Sequence, residues 1–174
     1  YKTKCFKDMF NELFRPCSFI QKQVDKHISN MQGGYVSVTF RFQQLLGDFK
    51  EGNYIVLPPP ERMLLINKCL EFVNNIHKKH QDAEWVLVTS DSVSFLNAAK
   101  DKFSFVYIVP GVVLHPDWSK AEGNLPYAKS FIDIFMIANA KKAYNYSTGG
   151  MYSNSGFAKN AARIGGIEYE NIHE

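Results

Sequence analysis

Arg41 closes the run YVSVTFRF (35–42), in which Tyr35, Ser37, Thr39 and Arg41 share one face of an extended chain and Val36, Val38, Phe40 and Phe42 the other. An arginine at the carboxyl end of a core strand is anchored at its root, and its planar fork suits bidentate binding of a phosphate or carboxylate. A surface arginine, or an ion pair with Asp48, is the plainer alternative. Ser153-Asn154-Ser155-Gly156 leads into a helical stretch, where hydroxyls and free backbone N–H groups can hold an anion, or where Ser155 simply caps. Asp133 sits in the apolar segment SFIDIFMIA. It can accept hydrogen bonds from a base or hydroxyl, or form a capping box with Ser130. Asp91, in Thr89-Ser90-Asp91, follows an expected strand and opens a helix, which it can simply cap.

Three histidines complete the list. His77 and His80 stand three apart and could share a metal, but Lys78 and Lys79 lie between them and no third ligand is near, so a solvated face is expected. His115 and Trp118 lie in a long loop, 111–127, that should overhang a crevice.

The elements that must position these groups follow from periodicity. Apolar residues at helical spacing predict helices over 6–14, from Ser18 to the Gly33-Gly34 pair, after Pro58-Pro59-Pro60, after Asp91 or Ser92, over 130–140 and over 156–163. Strands are expected at 35–42, 85–89, 105–109 and, weakly, 143–146. WVLVT (85–89) is apolar throughout, as in a strand covered on both faces. Strands alternating with helices predict a mostly parallel α/β sheet with helices on both faces, in one domain over 1–174. Ligands of such sheets bind beyond the carboxyl ends of the strands. Arg41–Phe49, Thr89–Ser92, Pro110–Lys129 and Ser147–Gly156 all belong there.

Composition excludes several classes. Of 174 residues, 45% are hydrophobic and 21% charged, which is globular rather than disordered. A formal net charge of +3 gives no reason to invoke nucleic acid. No apolar run approaches the roughly 20 residues that span a bilayer, and no signal peptide is apparent, so a cytoplasmic location is expected. Cys5, Cys17 and Cys69 are scattered and should be reduced thiols. The chain opens on Tyr1, as expected of a segment of a longer protein. There is no G-x-G-x-x-G, Walker A lysine, G-x-S-x-G or D-x-D sequence, which argues against a dinucleotide site, a P-loop, a hydrolase elbow or a metal–diphosphate clamp.

Read in order, the blocks resemble the carboxyl-terminal half of GT-B type fucosyltransferases, the alpha-1,2, alpha-1,6 and protein O-fucosyltransferase relatives. LFRPCSFIQKQVDKHI resembles the helical segment before the first family motif. YVSVTFRF followed by Gly47-Asp48-Phe49 resembles H-x-R-R-G-D with an insertion. WVLVTSDSVSFLNAAKDKF resembles the strand ending in T-[SD]-D and its helix. SFIDIFMIANAKKA and SNSGFAKNAARIGG resemble the aspartate-bearing and serine-bearing blocks. The resemblance implies a Rossmann-like doubly wound fold, binding of GDP-fucose, transfer with inversion, and no metal or other cofactor. Arg41 would hold the diphosphate and stabilise the leaving GDP, Asp133 would accept from guanine, and Ser153 and Ser155 would bind phosphate oxygens. Asp91 would shape the pocket, and Thr39 stands where the family carries histidine. The acceptor would be a glycan, brought by an amino-terminal domain outside this chain, and a role in bacterial surface-glycan synthesis is expected, with membrane contact at most peripheral. A non-catalytic nucleotide- or anion-binding module is the alternative.

Overall fold

The computed structural model describes residues 2–48, 55–114, 123 and 125–174. Phe49, His115 and Trp118, named above, lie outside the described residues. The chain runs α1 (Lys2–Leu13), α2 (Ser18–Asn30), β1 (Tyr35–Phe40), α3 (Pro59–Lys79), β2 (Trp85–Ser90), α4 (Val93–Lys102), β3 (Val106–Tyr107), a short 3-10 turn (Leu125–Tyr127), α5 (Ala128–Ala138), β4 (Lys142–Ser147), α6 (Gly156–Gly165) and β5 (Glu168–His173).

The strands form a parallel five-stranded sheet in the order β3-β2-β1-β4-β5. The fold is therefore α/β, Rossmann-like and doubly wound, as expected. The chain first builds outward from β1 through β2 to β3, then restarts on the other side of β1 with β4. The direction of winding reverses between β1 and β4, and that is where open α/β sheets leave a crevice.

Strand alternation sorts the core. Val36, Val38 and Phe40 of β1 pack with Val86, Val88, Tyr144 and Tyr146 under α3 and α4. Tyr35, Leu87 and Ala143 face the opposite way, onto α2, α5 and α6. Every residue of β1 is buried, because strands lie on both its edges and helices cover both its faces.

Several boundaries differ from the sequence expectation, each for a local reason. Strand β1 ends at Phe40, not Phe42, because the N–H groups of Phe42 and Gln43 are diverted to a side chain described below. Cys17, not Ser18, occupies the cap position of α2, without a side-chain cap bond. Helix α5 starts at Ala128, so Ser130 lies inside the helix and the capping box with Asp133 does not form. Strand β3 is only two residues long, paired on one edge. Strand β4, weak by sequence, has five buried residues and lies between β1 and β5. Strand β5 was not expected at all. It is a polar edge strand, EYENIH, held in part by Lys142, whose ammonium donates to Glu168 at 2.5 Å and pairs with Glu170 at 2.9 Å. Helix α6 ends as expected at Gly165-Gly166, where a Cβ on Gly165 would collide with the Ala138 carbonyl.

Candidate functional site

Residue Arg41 leaves β1 directly beside the end of β2, since Phe40 pairs with Ser90 in the sheet register. Its Nη1 donates to Asp91 Oδ2 at 2.8 Å. The same carboxylate accepts the backbone N–H of Phe42 at 2.8 Å and of Gln43 at 2.7 Å. Asp91 thus ties the chain leaving β1 to the end of β2 and fixes the root of the arginine. Burial pushes the Asp91 carboxyl above its usual range, and Arg41 and the two N–H groups oppose that shift. The capping alternative for Asp91 is not what forms: Ser92 caps α4, its Oγ accepting from Phe95 N at 3.1 Å. Nor does Arg41 pair with Asp48, whose carboxylate instead takes the hydroxyls of Ser92 and Ser94.

Helix α5 brings the second charge pair. Lys129 Nζ donates to Asp133 Oδ2 at 2.6 Å, one helical turn away. Both side chains are buried, with 7% and 10% of their surfaces exposed. The other oxygen, Asp133 Oδ1, is buried without a hydrogen-bond partner among the described residues. A buried acceptor left open costs free energy unless a ligand fills it. Burial raises the Asp133 carboxyl, and the Lys129 charge and its hydrogen bond pull it back.

The floor between these pairs is polar. Thr89, Thr39, Asn145 and Asn171 lie side by side across β2, β1, β4 and β5. Thr39 and Thr89 share a hydroxyl bond of 2.8 Å, and Asn145 Nδ2 donates to Asn171 Oδ1 at 2.8 Å. The fourth side is the start of α6, where Ser155 accepts from Phe157 N at 3.4 Å. Ordinary capping by Ser155 is therefore present, and its hydroxyl still borders the cleft.

The two charge pairs, Thr39, Thr89 and Ser155 line one cleft of about 610 Å³ at the carboxyl ends of β1 and β2, bordered also by Val113 and Leu114, whereas Asn145 and Asn171 do not line it. Of the residues singled out by sequence, Arg41, Asp91, Thr39, Asp133 and Ser155 meet there. Ser153 is not among the cleft's lining residues, and its carbonyl accepts from Asn171 Nδ2 at 3.3 Å. Lys129 and Phe157 line the cleft but were not anticipated. A lysine one turn before an aspartate in an otherwise apolar helix was the available signal for the first. His77 and His80 belong elsewhere. His77 stacks on Phe105 with ring centroids 3.7 Å apart, and His80 Nε2 meets the Tyr144 hydroxyl at 2.7 Å. They are half-buried aromatic partners, not the solvated face expected, and no cluster able to hold a metal is found among the described residues.

The arrangement suits an anionic ligand that also carries hydrogen-bond donors. Arg41 and the α6 N-terminus offer positive potential, and Asp133 carries an acceptor oxygen without a partner among the described residues. The protein is a Rossmann-like domain with a nucleotide-sized cleft at its winding reversal.

Three solved structures share this fold. The crystal structure of fucosyltransferase NodZ from Bradyrhizobium is 15% identical with a TM-score of 0.53, over 84% of this chain and 41% of that one. NodZ alpha-1,6-fucosyltransferase co-crystallised with GDP is 16% identical with a TM-score of 0.53, over 83% and 41%. The selenomethionine form of the Bradyrhizobium enzyme is 15% identical with a TM-score of 0.54, over 83% and 41%. This chain thus spans about 41% of the length of the structures it matches. No family model matches the sequence, and no curated protein matches it.

Proposed function

We propose that the chain is the GDP-fucose-binding half of a GT-B type fucosyltransferase that inverts the anomeric centre without a metal. One observation carries this reading. Arg41, braced by Asp91, and buried Asp133, one of whose oxygens has no hydrogen-bond partner among the described residues, line the same cleft, at the reversal point of the sheet. The fold likeness to fucosyltransferases and the ordered sequence blocks support it.

Arg41 takes the diphosphate. In glycosyl transfer the sugar gains positive charge while the departing phosphate gains negative charge. A fixed guanidinium, with the backbone N–H groups at the start of α6, stabilises the departing GDP. Asp133 Oδ1 accepts from the guanine ring. Thr39, bonded to Thr89, floors the cleft where the family carries histidine. The acceptor glycan, its use in surface-glycan synthesis and a cytoplasmic site of action belong to the same proposal. No helix of the described residues is long and apolar enough to cross a membrane.

Calorimetry with GDP-fucose, GDP and a UDP-sugar tests it. GDP is expected to bind with submillimolar affinity in the presence of chelator, UDP at least tenfold more weakly, and Arg41→Ala to abolish binding. UDP binding as tightly as GDP would support a general anion-binding module instead. Asp133→Asn should lose the guanine preference while the fold is kept.

A further inference from the structure

Lys129 has no role in the sequence motifs, yet it places a buried ammonium among the residues that line the cleft. Its ammonium spends one N–H on Asp133 Oδ2, at 2.6 Å. An ammonium has three donors, so others remain. Its stem is held in place: a Cβ on Gly111, whose φ is 138°, would press on Lys129 Cβ, Cγ and Cδ at 3.1 to 3.3 Å. That glycine leaves room for the lysine to lie flat against the backbone. The result is a buried pair with an unpartnered acceptor, Asp133 Oδ1, on the carboxylate that Lys129 Nζ holds.

The Watson–Crick edge of guanine presents the complement. Its O6 accepts, and the adjacent N1–H and the N2 amino group donate. Adenine reverses the first two positions, offering a donor at N6 and an acceptor at N1. We infer that Lys129 and Asp133 read the base as a unit, with Lys129 donating to guanine O6 while Asp133 Oδ1 accepts from the ring N–H. The inference rests on the GDP reading above and adds a specificity-determining residue to it. It also gives a reason for burying a lysine beside the aspartate. One oxygen of Asp133 is already satisfied, so the remaining one accepts and the lysine supplies the matching donor.

The test crosses two ligands with two proteins by calorimetry. 6-Thio-GDP keeps the N1–H and N2 donors of GDP but replaces O6 with sulfur, a weak acceptor. The native chain should bind it about tenfold more weakly than GDP, the scale of a lost hydrogen bond to a charged group. Lys129→Met should weaken GDP by a similar factor and no longer distinguish the two ligands. Equal binding of GDP and 6-thio-GDP by the native chain would overturn the inference and leave the GDP reading intact, and this arm needs no variant to fold. An equal loss for both ligands in Lys129→Met, with discrimination preserved, would also overturn it, because the lysine would then act only through Asp133. Failure of the native chain to bind GDP at all would instead remove the reading on which the inference rests.

Discussion

The two faces of the sheet are built from different chemistry. Under α3 and α4, strand residues are large: Phe40 and Tyr146 meet the rings of Phe42, Phe72 and Phe95, with ring centroids of Phe40 and Phe95 only 4.6 Å apart, while Tyr144 packs against His80. Under α5 and α6, the same strands present Thr39, Thr89, Asn145 and Ser147, all buried. Successive residues of one strand serve opposite faces, since alternation sends Phe40 one way and Thr39 the other. The aromatic face carries most of the apolar burial. The polar face gives up apolar contact so that a cleft with fixed charges can exist at the strand ends.

That contrast can be broken from either side. The largest effect should come from the aromatic face. Phe95→Ala removes a fully buried ring and should cost about 3–5 kcal/mol in denaturant unfolding. The fraction still folded should bind GDP as before, because Phe95 does not line the cleft. A matching loss of affinity in the folded fraction would mean that the faces are not separable. On the polar face the order of effects reverses. Asp133→Asn should weaken GDP binding more than tenfold, the scale of a hydrogen bond to a charged group, while melting changes far less than in Phe95→Ala.

Thr39→Val is a smaller probe. It keeps the shape and removes the hydroxyl bond to Thr89, so thermal unfolding should reveal a loss of about 1 kcal/mol. An unchanged melting point would show that the polar row contributes to the site alone.

The smallest effect is a pH dependence. His27, on α2, meets the Tyr107 hydroxyl at 2.7 Å, and burial, then the Lys26 and Lys129 charges, lower its pKa. His80, on the other face, is lowered mainly by burial. Both therefore resist protonation more in the folded chain than in the unfolded one. The unfolded chain takes up protons first, so stability should begin to fall as pH drops below 6.5 and stop falling beneath the lowered folded values. The raised carboxyls of Asp91 and Asp133 have the opposite sign: the folded chain binds their protons first, which adds stability as pH falls through their folded values towards 3.8. His27→Gln should flatten the histidine part of the curve in chemical denaturation at a series of pH values, and an unaltered curve would assign it to His80.

Much of this was legible in the chain. The WVLVT run and the alternation in YVSVTF identified the central strands, because burial on two faces demands apolar residues throughout. Arg41, Asp91, Asp133 and Ser155 were singled out from residue type and position at element ends. Less legible were features that depend on a neighbour distant in sequence. Strand β5 is too polar to announce itself, since it needs only the edge of β4 and the charge of Lys142. The aromatic partners of His77 and His80 come from β4 and from just before β3.

The order of the elements, β5 excepted, and the charged groups placed at strand ends and helix starts can be read from the chain alone. These follow from periodicity and turn chemistry, which act over a few residues. Which of those charges pair depends on how the elements pack. Asp91 could have capped α4, but the sheet register puts Arg41 beside it, and Ser92 caps instead. Asp133 could have formed a capping box, but α5 begins earlier and buries it with Lys129. A buried carboxylate takes the strongest donor within reach, and that distance is set by how strands and helices pack, not by spacing along the chain.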